Sequence, residues 1–413
     1  MKKVILKKME FRSTLPLWIL TTLCVLGLFF QPAFAQKDVP GVTKDSIKIG
    51  VFAPLTGEIA VYGKAAHMAD AIFNKVNEEG GIHGRKIVPV VVDDGCKPVK
   101  GVAAVKKLIY QDQVFMLHGA VCSNVALAAK KEILETKIPF VVLGAANYKI
   151  TTPVEKNIYT GVFTSVSVSK SMADFAMSKP GVKKVGIIKH TDEWAKSFYE
   201  PLIEYLKTKY NIVPVVDVTI ERGVPDATPQ ILKLKQANPD IIIAVTYVVS
   251  TSTIIRDAFK LGLKVPIVGN PAVAVDEQSV RVGIPQAMTQ FFTPYWYKNS
   301  FDNPKMKEWQ ELLHQYYPKD KFDMFAGLGI GGTIAIVEAL KKAGPDLTRE
   351  NFVEALEKTS NLNQWAPLDY PMATPINFSP EDHVGIDEMA FSVMSDQKLK
   401  IVYSWEDYLK LKK

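Results

Sequence analysis

Ile47-Lys48-Ile49-Gly50-Val51-Phe52 is followed by a run from Val61 to Glu79, then Gly80-Gly81, then an apolar run from Ile87 to Val92. This stretch decides the fold. The first six residues are short and β-rich, which predicts a strand. Within 61–79, Ala65, Met68, Ala69, Ile72, Phe73 and Val76 recur at helical spacing and define one apolar face. The Gly-Gly pair ends that helix. The nearly continuous apolar run of Ile87–Val92 predicts a strand covered on both faces. Strand, helix and buried strand in that order imply a parallel sheet with helices packed on it.

Outward from this unit the alternation continues. Val99–Gln111 reads as helix, Val114–Leu117 as strand, Asn124–Thr136 as helix and Pro139–Leu143 as strand. It restarts with a strand at Val185–Ile188 and a helix at Ala195–Lys209. Strand Ile212–Val218, helix Thr228–Gln236, strand Asp240–Thr246, helix Ser252–Leu261 and strand Val265–Val268 follow. Helices then dominate at Pro304–Tyr316, Phe325–Lys342 and Thr348–Thr359. The end returns to strand at Met389–Met394 and Lys400–Tyr403, a late pair that must join sheets already built. The fold class expected is α/β, with two doubly wound parallel-sheet lobes. No Ser/Gly-rich linker separates the halves, so several chain crossings are expected between them.

The N-terminus has a different character. Lys2, Lys3, Lys7, Lys8 and Arg12 precede a charge-free apolar run from Leu15 to Phe30, and Ala33-Phe34-Ala35 follows. This is the pattern of an export signal cleaved after Ala35. The apolar run is shorter than the roughly 20 residues a membrane span needs. Leu23 before Cys24 argues against a lipid anchor. No later segment reads as long and apolar enough to span a membrane.

Removing 1–35 changes the charge and cysteine arithmetic. The whole chain of 413 residues carries 50 Lys/Arg and 43 Asp/Glu, a formal +7. The leader holds five Lys/Arg and one Glu; the remaining 45 basic and 42 acidic residues leave +3. That balance and the absence of a basic stripe argue against nucleic acid as a partner. A hydrophobic content of 47% with 23% charged residues excludes a disordered, collagen-like or coiled-coil chain. Two cysteines remain, Cys96 and Cys122. In an exported chain such a pair reads as one disulfide; two free thiols are the alternative, and no His lies at metal-ligand spacing.

Catalytic motifs are missing. Gly327, Gly329 and Gly332 fit G-x-G-x-x-G, but Lys321–Phe325 before them is not a strand, so they read as small residues permitting close helix packing. No P-loop, H-E-x-x-H or G-x-S-x-G occurs. The six histidines are scattered, and Asp93-Asp94 reads as the polar end of a strand. Phe291-Phe292 and Tyr295-Trp296-Tyr297 read as packing or a lobe junction. No enzyme, no metal and no cofactor are expected.

Ligands of open parallel sheets bind at the carboxyl ends of strands. The loops there are distinctive: Ala53–Glu58 with Tyr62-Gly63, His118–Asn124 opening a helix, and Gly144–Asn147. Ser123 and Asn147 place polar groups beside N–H donors at a helix start, which suits a carboxylate. In the second half, Trp194 and Tyr247 sit at equivalent strand ends.

These loops resemble, in order, those of the branched-chain amino acid (leucine-isoleucine-valine) binding proteins of ABC importers. The matching segments are Pro-Leu-Thr-Gly with Tyr-Gly-Lys at 54–64, Val-Asn-Glu-Glu-Gly-Gly-Ile-His-Gly-Arg-Lys at 76–86 and Asp-Asp-Gly-Cys at 93–96. Gly-Ala-Val-Cys-Ser at 119–123 and Gly-Leu at 262–263 also match, and the likeness spans 45–405. It implies a type I periplasmic binding fold, two lobes joined by three crossings, with a ligand trapped by hinge closure. It implies a Cys96–Cys122 disulfide. It implies Ser123, Ala145 and Asn147 as the ligand carboxylate site, and Tyr62, Trp194 and Tyr247 as aromatic walls. The lobes expected are 36–163 with 294–386, and 164–293 with 387–413.

One departure bears on the ligand. Amino-acid binders of this family hold the ammonium with an acidic residue after the strand ending at Val268. Here that loop reads Gly269-Asn270-Pro271-Ala272-Val273, and the crossing loop Thr164–Ser169 also lacks a carboxylate. Asp192 or Glu193 beside Trp194 are the remaining candidates. The expected function is therefore a periplasmic solute-binding protein of an ABC importer, a monomer that takes a small amino acid-like or aromatic or aliphatic carboxylate and docks on an inner-membrane permease. A sensory protein of the same fold is the alternative.

Overall fold

The computed structural model describes residues 38–410, apart from 58, 275–276, 301–302, 367, 387–388, 396–397, 405–406 and 408–409. The expected leader and its cleavage point lie outside the described residues. The first sheet holds β1 (Ser46–Ala53), β2 (Lys86–Asp93), β3 (Met116–Gly119), β4 (Phe140–Val142) and β5 (Ile158–Thr160). Its order is β2-β1-β3-β4-β5, with every pair parallel. The crossovers carry α1 (Lys64–Glu78), α2 (Pro98–Lys106) and α3 (Ser123–Thr136). Pro98 starts α2, where its fixed φ suits the first helical position and its missing N–H costs nothing. The buried face of α1 contains the six apolar residues whose spacing predicted it.

The second sheet has seven strands: β6 (Val185–Lys189), β7 (Val216–Thr219), β8 (Ile241–Val245), β9 (Ile267–Gly269), β10 (Phe291–Tyr295), β11 (Ala390–Ser395) and β12 (Lys398–Tyr403). The order is β12-β11-β10-β9-β8-β6-β7. The core from β10 to β7 is parallel, and the late strands β11 and β12 add antiparallel at one edge. Between them run α4 (Ser165–Met177), α5 (Glu193–Tyr210), α6 (Thr228–Ala237), α7 (Val248–Lys260) and the short α8 (Glu277–Val282) and α9 (Pro285–Met288). After β10 the chain returns to the first sheet with α10 (Pro304–Tyr316), α11 (Met324–Ala343) and α12 (Arg349–Glu357), then re-enters the second sheet at β11. The chain thus crosses between the sheets three times, after β5, after β10 and before β11.

Four expectations need correction. Thr164–Ser169 is not a loop: Thr164 caps α4, its hydroxyl accepting from the Ser167 N–H while the Ser167 hydroxyl accepts from the Thr164 N–H at 3.0 Å. This reciprocal cap holds a Ser-rich helix start that propensity alone would not favour. The strand read as Ile212–Val218 begins only at Val216, because the Ile212 N–H is spent on the Leu206 carbonyl at the end of α5. The aromatic stretch Phe291–Tyr295 is the strand β10. And α11, with 20 residues, is by length and composition alone long and apolar enough to cross a membrane, yet it lies inside the fold against α1.

The glycines of α11 explain that burial. A Cβ on Gly329 would stand 2.2 Å from the Ala65 carbonyl oxygen, and one on Gly331 2.3 Å from that of Gly161. Glycine there lets the helix lie directly on the α1 backbone and on the chain leaving β5. These residues pack a helix; they do not cradle a dinucleotide.

Candidate functional site

The sheets place the sequence-predicted residues in two groups. At the carboxyl end of the first sheet the loops after β3 and β4 are zipped together. Leu143 N–H donates to the Gly119 carbonyl at 2.8 Å, and Ala145 N–H to that of Ala120 at 3.0 Å. Ala120 adopts φ +60 to make the turn. Ser123 opens α3 with no side chain capping the helix. Its hydroxyl oxygen accepts the Asn147 N–H at 3.2 Å, so Ser123, Ala145 and Asn147 form one buried cluster. The Asn147 side-chain oxygen accepts from Lys149 N–H at 3.0 Å. Its Nδ2, with the residue only 2% exposed, has no partner among the described residues. A buried amide donor without an acceptor is costly, and here it stands beside a helix N-terminus with an anion-attracting dipole.

The Cys96–Cys122 disulfide is present, with Cα atoms 5.6 Å apart. It ties the loop after β2 to the residue immediately before Ser123. Asp93, at the end of β2, braces the loop after β1: it accepts from the N–H of Leu55 at 2.8 Å, of Gly95 at 2.9 Å and of Thr56 at 3.3 Å. Beyond that loop a 3₁₀ turn, Ala60–Gly63, carries Tyr62, whose ring packs on Phe325 at 4.2 Å.

At the carboxyl end of the second sheet, Trp194 on the first turn of α5 stacks on Tyr247, which caps α7, with centroids 4.2 Å apart and 21° between planes. His190 fixes Tyr247 from below, Nε2 accepting the Tyr247 N–H at 3.2 Å while Nδ1 faces the Ile220 carbonyl at 2.7 Å. This is the neutral tautomer, and burial lowers the His190 pKa accordingly.

Sequence reasoning missed Arg222, which the loop after β7 delivers to the same place. Its guanidinium lies 4.5 Å from the Tyr247 ring and donates to the Tyr247 hydroxyl at 3.2 Å. Nε donates to Asp192 Oδ2 at 2.8 Å. A search of every strand end, β7 included, would have found it. Burial pushes the Tyr62 hydroxyl up to about 12, and the Arg222 cation opposes that rise. On the second-sheet side His190, Thr191, Asp192, Ile220, Glu221 and Arg222 line an open hollow of about 210 Å³.

Both carboxylates considered for an ammonium already have a cationic partner. Asp192 Oδ1 caps α5 through the Ala195 N–H at 2.9 Å, and Oδ2 is taken by Arg222. Glu193 is exposed and paired with Lys196 at 2.9 Å. In the 269–273 loop, Asn270 is buried and turned inward, donating to the Thr246 carbonyl at 2.7 Å and accepting from Ala272 N–H. Among the described residues no group of three or more His, Cys, Asp and Glu could hold a metal ion.

Two parallel-sheet lobes with three crossings and donor and aromatic groups at facing strand ends define a solute-binding protein of the type I periplasmic binding fold. Residues 46–398 match the family of periplasmic binding proteins, and the chain belongs to that family. It is 25% identical over 285 residues to the Leu/Ile/Val-binding protein homolog 3 of Brucella melitensis, covering 68% of this chain and 75% of that one. Among solved structures it resembles a branched-chain amino acid transporter substrate-binding protein of Streptococcus pneumoniae in complex with isoleucine, at 19% identity and TM-score 0.71, covering 87% and 100%. It also resembles an ABC transporter solute-binding protein of R. palustris in complex with benzoate, at 20% identity and TM-score 0.72, covering 87% and 96%. At these identities the structural likenesses show the fold. The family consists of binding proteins, not enzymes.

Proposed function

We propose that this chain is exported, cleaved after Ala35, and serves in the periplasm as the monomeric solute-binding component of an ABC importer. It delivers a small carboxylate, amino acid-like or an aromatic or aliphatic acid, to an inner-membrane permease. The lobes proposed are 36–163 with 294–386 and 164–293 with 387–413, the boundary at 293/294 falling within β10. Capture is hinge closure around the ligand, with no covalent chemistry.

The observation that carries the reading is the orphan amide of Asn147 beside Ser123 at the start of α3. A carboxylate there would satisfy the amide and the helix N-terminal N–H groups together. Trp194, Tyr247 and Tyr62 supply apolar walls for the rest of the ligand. The relatives above bind isoleucine in one structure and benzoate in another, which supports a small carboxylate as the common element. The 269–273 loop carries no acidic residue, and Asp192 and Glu193 are matched by Arg222 and Lys196; this favours an acid lacking an amino group, since a desolvated ammonium without a counter-charge costs several kcal/mol, and leaves Glu221 as the competing partner to test.

The test is thermal unfolding of ligand-stripped protein against panels of amino acids and organic acids, with Trp194 emission recorded in parallel. A true ligand at 100 times its Kd stabilises by about 2.7 kcal/mol, and enclosure of Trp194 changes its emission. Indifference to both panels would refute the reading.

A further inference from the structure

The donor and acceptor inventory at the second-sheet end of the cleft goes further, resting on the reading just given. Arg222 carries five N–H donors and no acceptor. Nε and Nη2 serve Asp192 Oδ2, and Nη2 also reaches the Tyr247 hydroxyl. Nη1 has no hydrogen bond among the described residues, and the Arg222 side chain is 59% exposed. The Tyr247 hydroxyl, already accepting from Arg222, keeps its own proton to donate. The Asp192 charge is already matched: Oδ1 caps α5 and Oδ2 holds Arg222, so the net electrostatic character of this cluster comes from the donors that remain.

Both recognition points therefore offer donors. At the first sheet these are the Asn147 amide and the α3 N-terminus; at the second they are Arg222 Nη1 and the Tyr247 hydroxyl. A ligand with one carboxylate and an apolar tail would satisfy the first and leave the second facing hydrocarbon. We propose that Arg222 and Tyr247 form a specificity-determining site for a second anionic oxygen group, and that the ligand is a small dicarboxylate. The Trp194–Tyr247 stack and the Tyr62–Phe325 pair hold the carbon skeleton between the two ends. Glu221 lines the same hollow and makes no ion pair among the described residues. Unlike Asp192, which Arg222 neutralises, it offers an unmatched charge that a competing, ammonium-bearing ligand would use.

The experiment is isothermal titration at pH 7 with matched pairs of acids: pentanoate and glutarate, hexanoate and adipate, benzoate and benzene-1,4-dicarboxylate. One diacid is expected to bind at least about tenfold more tightly than its monoacid. Arg222→Gln is expected to weaken diacid binding at least about tenfold more than monoacid binding and so erase that preference. Tyr247→Phe, which keeps the charge pair and removes only the hydroxyl, is expected to reduce it severalfold and covers the case in which Arg222→Gln fails to fold. Asp192→Asn, which retains a cap for α5 and releases the guanidinium, is expected to preserve or strengthen it. Equal affinity within every pair overturns the inference alone, as does equal weakening of both acids by Arg222→Gln. Tight binding of a 2-amino acid that Glu221→Gln abolishes also overturns it. If no acid of either series binds, the carboxylate reading itself fails and this inference with it.

Discussion

The backbone N–H of Asn147 donates to the hydroxyl oxygen of Ser123 at 3.2 Å, which locks the loop after β4 onto the first residue of α3. Among the described residues the pair leaves the Asn147 amide without an acceptor, and under the proposed function it and the Ser123 hydroxyl meet the ligand carboxylate. Ser123→Ala removes one donor and one loop tie; Asn147→Ala removes the orphan amide. Hydrogen bonds to a charged group contribute about 1.5–3 kcal/mol each, so each change is expected to weaken carboxylate binding by about 10–100-fold. Asn147→Ala removes an unsatisfied buried amide but also the cap on the Lys149 N–H, so the ligand-free protein is expected to lose about 0.5–2 kcal/mol. Titration and urea unfolding of the same variants check both halves. Unchanged affinity in both variants would place the carboxylate elsewhere.

The disulfide acts on the same helix start. Cys96 and Cys122 are 26 residues apart. Opening the link frees a loop whose closure entropy corresponds to roughly 3–4 kcal/mol. Cys96→Ser with Cys122→Ser, or reduction with dithiothreitol, is expected to lower the unfolding free energy by that order. Because Cys122 directly precedes Ser123, ligand affinity should fall severalfold as well. Loss of stability with unchanged affinity would show that the link braces the lobe without positioning the site.

Legibility in the sequence followed the strength of each physical signal. Elements with long periodic or continuous apolar patterns, such as α1, β2 and β8, were read correctly to within a few residues at their ends. Strand β5 was missed because three residues, Ile158–Thr160, carry no period. Helix α4 was missed because Ser165, Ser167, Ser169 and Ser171 are poor helix formers whose burial in the fold, with the Thr164 cap, overrides propensity. Strand β10 hid behind aromatic density and a proline at 294. At the candidate site, Ser123 and Asn147 beside glycine-rich loops meet in space, as do Trp194 and Tyr247. Arg222 was not legible, because its role depends on Asp192 and Tyr247 from two other strand ends meeting it in space.

Packing of α11 on α1 gives a prediction independent of any ligand. At Gly329 a methyl group would meet the Ala65 carbonyl oxygen at 2.2 Å and the Met68 Cβ at 3.1 Å. Both neighbours belong to α1, one of them backbone, so relief requires moving a helix. Gly329→Ala is expected to destabilise by about 1–3 kcal/mol, although alanine is intrinsically the better helix former. An increase in stability in urea unfolding would show that propensity, not packing, governs this position.

The pH dependence of stability depends on groups of opposite sign. Asp94 is fully buried, accepts the Cys96 N–H at 2.7 Å through Oδ1 and leaves Oδ2 without a partner among the described residues. Burial raises its pKa to about 6, and the neighbouring Asp93 adds to the rise. Between the ordinary Asp value of 3.8 and about 6 the folded state therefore holds a proton that the unfolded chain has released, and this group's contribution to stability is lost as pH rises. His118 works the other way. It is buried between the Val141 carbonyl and Thr333, and burial lowers its pKa to about 4. From 6.5 down to about 4 the unfolded chain takes up a proton that the folded state refuses, so stability is lost as pH falls; His190, also lowered, adds to this. With two histidines against one aspartate, the parent protein should lose stability on acidification from pH 6 to 4.5, with a slope blunted by Asp94. Asp94→Asn removes the blunting. The slope should steepen by about one proton, or about 1.4 kcal/mol per pH unit, while His118→Asn should flatten it by a similar amount. Urea unfolding at half-unit intervals from pH 4.5 to 7 measures all three. Parallel profiles for parent and Asp94→Asn would mean that Asp94 is ionised in the folded protein throughout this range.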